Sequence, residues 1–310
     1  MTEFGLIDQI KSLCAALPTN GYEGIGDDCA ITPLSESEST LYTQDMLIER
    51  VHFLRDATSP YDLGRKSLAV NLSDIAAMGG RPTATLLSLA VPSELMGGWI
   101  EEFMRGYRDL SLEHGVALVG GDTTRSLGDL AINVTAIGRA HNSHIKRRST
   151  AQVGDIIAVT GALGGSGEGL AEILAGRYHT PMAMLHKRPT PRVNEGQWLA
   201  QFAHVHSMMD LSDGVASDLL HILRASGVGA EVELNSIPAA GSLERALCSG
   251  EDYELLFSCD ADSFDELSTL YSAQFGTTLH PIGRIVAEEG LRWRREGAVV
   301  EGDYRGFTHY

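Results

Sequence analysis

The sequence predicts an α/β (α+β) protein in two halves. Short apolar strands alternate with amphipathic helices along both halves, and a polar, basic stretch interrupts that alternation near the middle. A chain of 310 residues suits about two domains, each long enough to bury a core.

Taken in order, Phe4, Ile7, Ile10, Lys11 and Cys14 fall at helical spacing, with apolar positions on one face. Leu41 to Asp45 predicts a strand that ends on a carboxylate. Ser59-Pro60 predicts a helix start, with Ser as N-cap and Pro at the first helical position, where its fixed φ suits entry. That helix runs to about Met78 and stops at Gly79-Gly80. Its interior carries Asn71 and Asp74, three residues apart and so on one face. An aspartate on an otherwise apolar helix needs a partner. Thr85 to Val91 predicts a strand, Glu94 to His114 a helix, Ala117 to Val119 a strand leading into glycines, and Ala131 to Ile137 another strand.

Between Arg139 and Val153 the pattern turns basic, with His141, His144, Lys146, Arg147 and Arg148. The domain boundary is placed there, giving 1–140 and 148–310. The second half opens with a strand from Asp155 to Thr160, a glycine-rich turn from Gly161 to Gly167, and a helix to about Ala175. Further helices are predicted for Arg192 to Phe202 and Val215 to Ala225. Strands are predicted for Ala230 to Leu234, Tyr253 to Ser258 and His280 to Ile285.

Composition excludes several function classes. Acidic residues number 41 against 24 basic ones, a net charge of −17, and the pI is about 5.0. Such a surface repels nucleic acid and anionic lipid, so neither partner is expected. It also repels nucleotides unless metal ions offset the field. Cys14, Cys29, Cys248 and Cys259 include no CxxC pair, which argues against a zinc knuckle or a redox motif. The amino end lacks a basic segment followed by an apolar run, so no secretory signal is expected. No apolar stretch approaches the roughly 20 residues of a membrane helix. A cytoplasmic location is the expectation.

The informative feature is a set of short aspartate signatures flanked by Gly, Ser and Thr. They are Gly26-Asp27-Asp28, Thr43-Gln44-Asp45, Asn71-Leu72-Ser73-Asp74, Gly120-Gly121-Asp122-Thr123-Thr124 and Asp210-Leu211-Ser212-Asp213-Gly214. Carboxylates gathered by folding repel one another unless cations sit between them. Hard cations such as Mg²⁺ favour such oxygen ligands and also grip phosphates. Each signature alone also suits a bland role. Gly26-Asp27-Asp28 can form an Asx turn, Ser73 and Ser212 can bond locally, and Asp210 or Asp213 can N-cap the helix near Val215. Their recurrence in both halves favours metal-dependent phosphoryl transfer.

Other nucleotide sites are excluded by inspection. No G-x-x-x-x-G-K-[ST] occurs, no G-x-G-x-x-G occurs between Gly161 and Gly169, and the protein-kinase motifs are missing. The turn before the helix at 165 can still offer backbone N–H groups to a phosphate, or can simply be a tight turn. His204 and His206 tempt a metal reading, but alternation on a solvent-exposed strand explains them better.

Gly24-Ile25-Gly26-Asp27-Asp28-Cys29-Ala30, Val51-His52-Phe53, Ala69 to Gly79, Gly120 to Thr124, Asp210 to Gly214 and Gly250-Glu251-Asp252-Tyr253-Glu254-Leu255 together resemble the thiamine-monophosphate kinase family. They stand in the family's order and span nearly the whole chain. The wider superfamily of aminoimidazole ribonucleotide synthetase and selenophosphate synthetase shares only part of the set. The resemblance implies a two-domain aminoimidazole ribonucleotide synthetase-like fold and a homodimer whose amino-terminal domains pair into a β-barrel. It implies an ATP- and Mg²⁺-binding, dimerising first domain and a second domain completing the cleft. The implied reaction converts ATP and thiamine monophosphate to ADP and thiamine diphosphate.

Carried over by position, the resemblance implies metal positions at Asp28, Thr43, Asp45, Asp74, Asp122, Asp210 and Asp213. It implies nucleotide positions at Gly121, Asp122, Arg148 and Ser212, and acceptor positions at His52, Glu251 and Phe307. Gln44 stands where threonine is usual, Ser249 replaces a glycine, and Pro238 to Ser249 is short for the family. No residue is expected to act as general base or covalent nucleophile, because a phosphate monoester with a second pKa of about 6 is already largely dianionic near neutrality. Alignment and charge relief suffice for direct in-line transfer. Two alternatives are a superfamily ligase and a non-catalytic nucleotide binder. Val51-His52-Phe53 with Glu251-Asp252-Tyr253-Glu254 argues against the first, and the intact aspartate signatures argue against the second.

Overall fold

A computed structural model describes residues 3–302 and 304–307. Met1 and Thr2, read above for a leader, lie outside the described residues. The first half contains α1 (Glu3–Cys14), β1 (Ala30–Pro33), β2 (Glu38–Ile48), α2 (Pro60–Ala77), β3 (Arg81–Pro92), α3 (Gly98–His114), β4 (Ala117–Ser126) and β5 (Ala131–His141). The second contains β6 (Ile156–Val159), α4 (Gly165–Leu174), α5 (Pro181–Lys187), α6 (Val193–Ala200), β7 (Val205–Asp210), α7 (Val215–Ser226) and β8 (Gly229–Glu233). It continues with α8 (Leu243–Cys248), β9 (Leu255–Cys259), α9 (Phe264–Phe275), β10 (His280–Val286), β11 (Gly290–Arg295) and β12 (Ala298–Val300).

Each half is built on one sheet. The first has the order β1-β2-β5-β3-β4, antiparallel except for the parallel pair β3–β4. The second has the order β12-β11-β8-β10-β6-β9-β7, antiparallel except for β8–β11. Both mixed sheets agree with the α/β (α+β) expectation.

α2 forms as its sequence dictates. The Ser59 hydroxyl accepts the Asp62 N–H, and Pro60 occupies the first turn. The helix ends before Gly79, whose φ of +71° and contact with Ala200 and His144 leave no room for a side chain. One face of α2 packs on β2, β3 and β5, another on α3, and its length reaches α5, α6 and β7 of the second half. The largest apolar cluster accordingly runs through both halves, from Leu63, Leu72 and Phe103 to Met208 and Phe257. A second cluster, around Leu219, Val232 and Leu256, belongs to the carboxyl-terminal sheet alone.

Several expectations differ from the structure, β2 among them, which runs past Asp45 to Ile48. The helix predicted from Glu94 starts only at Gly98, because Gly97 at φ +98° breaks it from the short 3₁₀ turn Ser93–Leu95. The strand predicted to stop at Val119 continues through the glycines to Ser126, with Gly121 lying so close to the Leu87 carbonyl that no Cβ fits. His206 is not a solvent-exposed strand residue: its Nδ1 lies 2.8 Å from Asp155 Oδ1 and its side chain is only 16% exposed.

Candidate active site

Three of the carboxylates expected to converge, Asp28, Asp74 and Asp210, do so at the seam between the halves. α2 presents Asp74, the loop before β1 presents Asp28, and β7 ends on Asp210. One carboxylate oxygen from each lies within 4.8 Å of the others. Thr43 Oγ1 donates to Asp74 Oδ2, and Asp45 is tied in by its N–H donating to Asn71 Oδ1 at 3.0 Å. Ser73 Oγ reaches across the seam to Asp210 Oδ2 at 2.5 Å, so its role is not local as a cap would be.

This gathering is electrostatically costly. Burial pushes Asp210 up to about 7 and Asp45 up to about 6. Burial, then the charges of Asp45 and Asp210, holds Asp74 well above the usual carboxylate range. Asp27, one residue before the cluster, is pushed up to about 7 by burial and by Asp28. Asp28 Oδ2 is buried without a hydrogen-bond partner. An all-oxygen donor set with an orphaned carboxylate oxygen fits a hard divalent cation.

The remaining expected positions are scattered around this centre. Arg148 donates to Asp28 Oδ1. Asp213 follows the β7 terminus and accepts the Phe307 N–H at 3.0 Å on its carbonyl. It does not cap α7; Asp218 Oδ2 instead accepts the Asp213 and Gly214 N–H groups from inside that helix. The Ser212 carbonyl accepts the Glu251 N–H at 2.8 Å. His52 Nδ1 accepts the Ile48 N–H at 3.0 Å. Glu251 is partly buried and paired with Lys66 and His186, whereas Phe307 is 47% exposed. Gly121 and Asp122 are not brought to the cluster within one chain; both lie on β4, the exposed edge of the first sheet.

The turn before α4 is already filled. Asp252 accepts the Gly164 N–H at 2.5 Å and the Ser166 N–H at 3.0 Å, so a carboxylate occupies the helix N-terminus offered to a phosphate in the sequence. Gln44 points to the opposite face of its strand, where its Oε1 accepts from Thr135 Oγ1 at 2.8 Å. Its departure from threonine therefore leaves the cluster side untouched.

Sequence reasoning missed Asn71 and Ser73 as site-building side chains, although both sit inside a quoted signature. It also missed Lys66. The available signal was a lysine seven residues before Ser73, hence on the same helical face.

Residues 26–140 match the family described as AIR synthase related protein, N-terminal domain, and residues 152–294 match its C-terminal domain counterpart. The thiamine-monophosphate kinase of Haemophilus influenzae is 37% identical, over 100% of this chain and 98% of its own. That of Escherichia coli K12 is 38% identical, over 93% of this chain and 91% of its own. The chain belongs to the thiamine-monophosphate kinase family. The family and enzyme class expected from the motifs are thereby borne out. Among solved structures, AaThiL complexed with AMPPCP and TMP superposes with a TM-score of 0.86 at 30% identity, covering 100% of this chain and 97% of that one. The thiamine-monophosphate kinase from Stenotrophomonas maltophilia K279a gives 0.77 at 38% identity, covering 96% and 98%. E. coli HypE, at 17% identity and a TM-score of 0.75, shows the shared fold alone. In the two-part fold common to these kinases, the acidic cluster described above lies at the junction of the two matched family regions.

Proposed function

We propose that the chain transfers the γ-phosphoryl group of ATP to thiamine monophosphate, giving ADP and thiamine diphosphate by direct in-line displacement. The observation that carries this reading is the convergence of Asp28, Asp74 and Asp210 from both halves, raised in pKa and with an orphaned oxygen. Family membership supports it, as does a neighbour solved with AMPPCP and TMP.

Asp28, Asp74 and Asp210, with Asp45, Thr43 and Asp213 beside them, would hold Mg²⁺ ions. Bound there, the ions would neutralise the polyphosphate and relieve repulsion between two anionic substrates. The chain's own groups supply orientation. Arg148, next to Asp28, offers a cation to phosphate, and Ser212 and Gly121 flank the nucleotide. His52, Glu251 and Phe307 take the acceptor. No side chain need abstract a proton, since the attacking phosphate is already ionised.

Residues 1–140 then form the nucleotide, metal and dimer domain, and 148–310 complete the cleft. A homodimer is supported by the open face and edge of the first sheet, where Met46, Leu86, Leu118 and Val119 are exposed. The net charge of −17 supports an enzyme without nucleic-acid or anionic-lipid partners, and no helix among the described residues is long and apolar enough to cross a membrane; a cytoplasmic location is part of this reading. The test is a product assay with ATP, Mg²⁺ and thiamine monophosphate. Equimolar ADP and thiamine diphosphate are expected; ATP cleavage without thiamine diphosphate would overturn the reading.

A further inference from the structure

Glu251 and Tyr253 are non-glycine residues at φ +67° and +52°. Left-handed backbone of this kind is uncommon and persists where surrounding contacts impose it. The contacts here come from both halves of the molecule. Glu251 Oε1 lies 2.8 Å from Lys66 Nζ on α2, and Oε2 lies 3.2 Å from His186 Nδ1 on α5. His186 Nδ1 is also 2.9 Å from Ser166 Oγ, which steadies the ring.

Lys66 is only 1% exposed, and its ammonium has a second partner, the His52 carbonyl at 3.4 Å. One buried cation thus bridges the two acceptor positions, His52 and Glu251. A buried ion pair is poor evidence of stabilisation, since apolar residues of similar volume serve as well or better. What the pair provides is orientation. Despite the cost of burial, the charge of Lys66 above all holds Glu251 below its ordinary pKa, so the carboxylate stays charged in the cleft wall.

We propose that Lys66 is a positioning residue of the acceptor site: it joins His52 to Glu251 across the seam and fixes the carboxylate that faces the acceptor's cation. This rests on the reading of Glu251 and His52 given above. His186 backs the second carboxylate oxygen in the same role.

The test is steady-state kinetics on Lys66→Met, Lys66→Arg, Glu251→Gln and the double variant Lys66→Met/Glu251→Gln, with ATP and thiamine monophosphate each titrated. Lys66→Met is expected to raise KM for thiamine monophosphate roughly tenfold or more while leaving KM for ATP unchanged. Lys66→Arg, which keeps the cation, should recover part of the loss. The double variant should be no worse than Glu251→Gln alone, because Lys66 acts through that carboxylate. It also removes the unpaired buried charge, so it carries the test if Lys66→Met does not fold. Equal losses for both substrates, or additive losses in the double variant, would overturn the proposal. A wild-type enzyme inactive on thiamine monophosphate would overturn the acceptor reading itself. An active wild type with KM unmoved in Lys66→Met would overturn only the role of Lys66.

Discussion

Asp45 and Asp122 project from opposite faces of the same sheet. In the strand register Asp45 lies level with Val134, Leu87 and Gly121, whereas Asp122 lies level with Ser88, Asn133 and Met46. Side chains alternate along a strand, so Asp45 faces α2 and Asp122 faces the open side with Met46. Three strand spacings, roughly 14 Å, also separate them. Two carboxylates so placed serve one centre only if a second copy of the sheet brings them together.

Asp122→Asn is therefore expected to leave thermal unfolding unchanged, because Asp122 is exposed, yet to reduce turnover to near zero. An equimolar mixture of Asp122→Asn and Asp45→Asn subunits should regain about a quarter of wild-type activity, since half the dimers then contain one intact site of two. Unimpaired kinetics for Asp122→Asn would remove it from the site. A mixture that stays dead would place its action within one chain.

ATP binding should require a divalent ion. A chain of net charge −17 with carboxylates packed at its seam has little means of holding a polyanion by itself. Titration calorimetry should give tight binding in millimolar Mg²⁺ and none in excess chelator. Equal affinity in both would contradict the metal assignment.

Two buried neutral histidines should each withdraw stability in mild acid. Burial, then the charge of Lys66, pushes His186 down to about 4, and burial does the same for His221. The unfolded chain takes up protons below about 6.5 while the fold resists them, so this contribution is lost as pH falls from 6.5 towards 4. For His186 the loss is on the order of 1–2 kcal/mol between pH 7 and 5. The raised carboxylates Asp27, Asp45, Asp74 and Asp210 work oppositely, their contribution lost as pH rises from the ordinary carboxylate range towards about 6–7, so the readout is a difference between variant and wild type. Denaturant unfolding at several pH values should show the stability of His186→Gln relative to wild type rising as pH falls from 7 to 5. Parallel slopes would contradict it.

Phe307→Ala separates substrate contact from tail packing. Phe307 is 47% exposed and anchored through its backbone to Asp213, so truncation should cost little stability. If the ring stacks on the thiazolium, KM for thiamine monophosphate should rise by up to roughly thirtyfold, about 2 kcal/mol, with ATP unaffected. Equal effects on both substrates would reduce Phe307 to support of the carboxyl-terminal tail.

Local chemistry made much of this fold legible in the sequence. Ser59-Pro60 and Gly79-Gly80 bracket α2 almost to the residue, because a cap, a fixed φ and a required left-handed φ each act within one turn. The aspartate signatures likewise pointed to Asp28, Asp74 and Asp210, whose carboxylates the fold gathers. The relations between distant segments were not legible. Asp252 filling the α4 N-terminus, Lys66 meeting Glu251, and Ser73 meeting Asp210 depend on chain separations of 86, 185 and 137 residues. Spacing rules that reach four residues cannot see such pairs. β4 was cut short for the opposite reason: glycine lowers local strand propensity, and only pairing with β3 carries the strand through Gly120 and Gly121.

α2 has a consequence for how the molecule comes apart. It is the inner wall of the first sheet, yet its far side carries Lys66 and Ser73, which bind Glu251 and Asp210 in the second half, and Ala76, whose carbonyl packs against Gly196 so closely that no Cβ fits there. Neither half can release this helix without exposing the other's apolar interior. Heat or denaturant should therefore melt both halves in one cooperative transition, and a cut in the basic connector should leave the two fragments associated. The acidic seam is in this sense the least separable part of the protein, where two lobes share a single structural member.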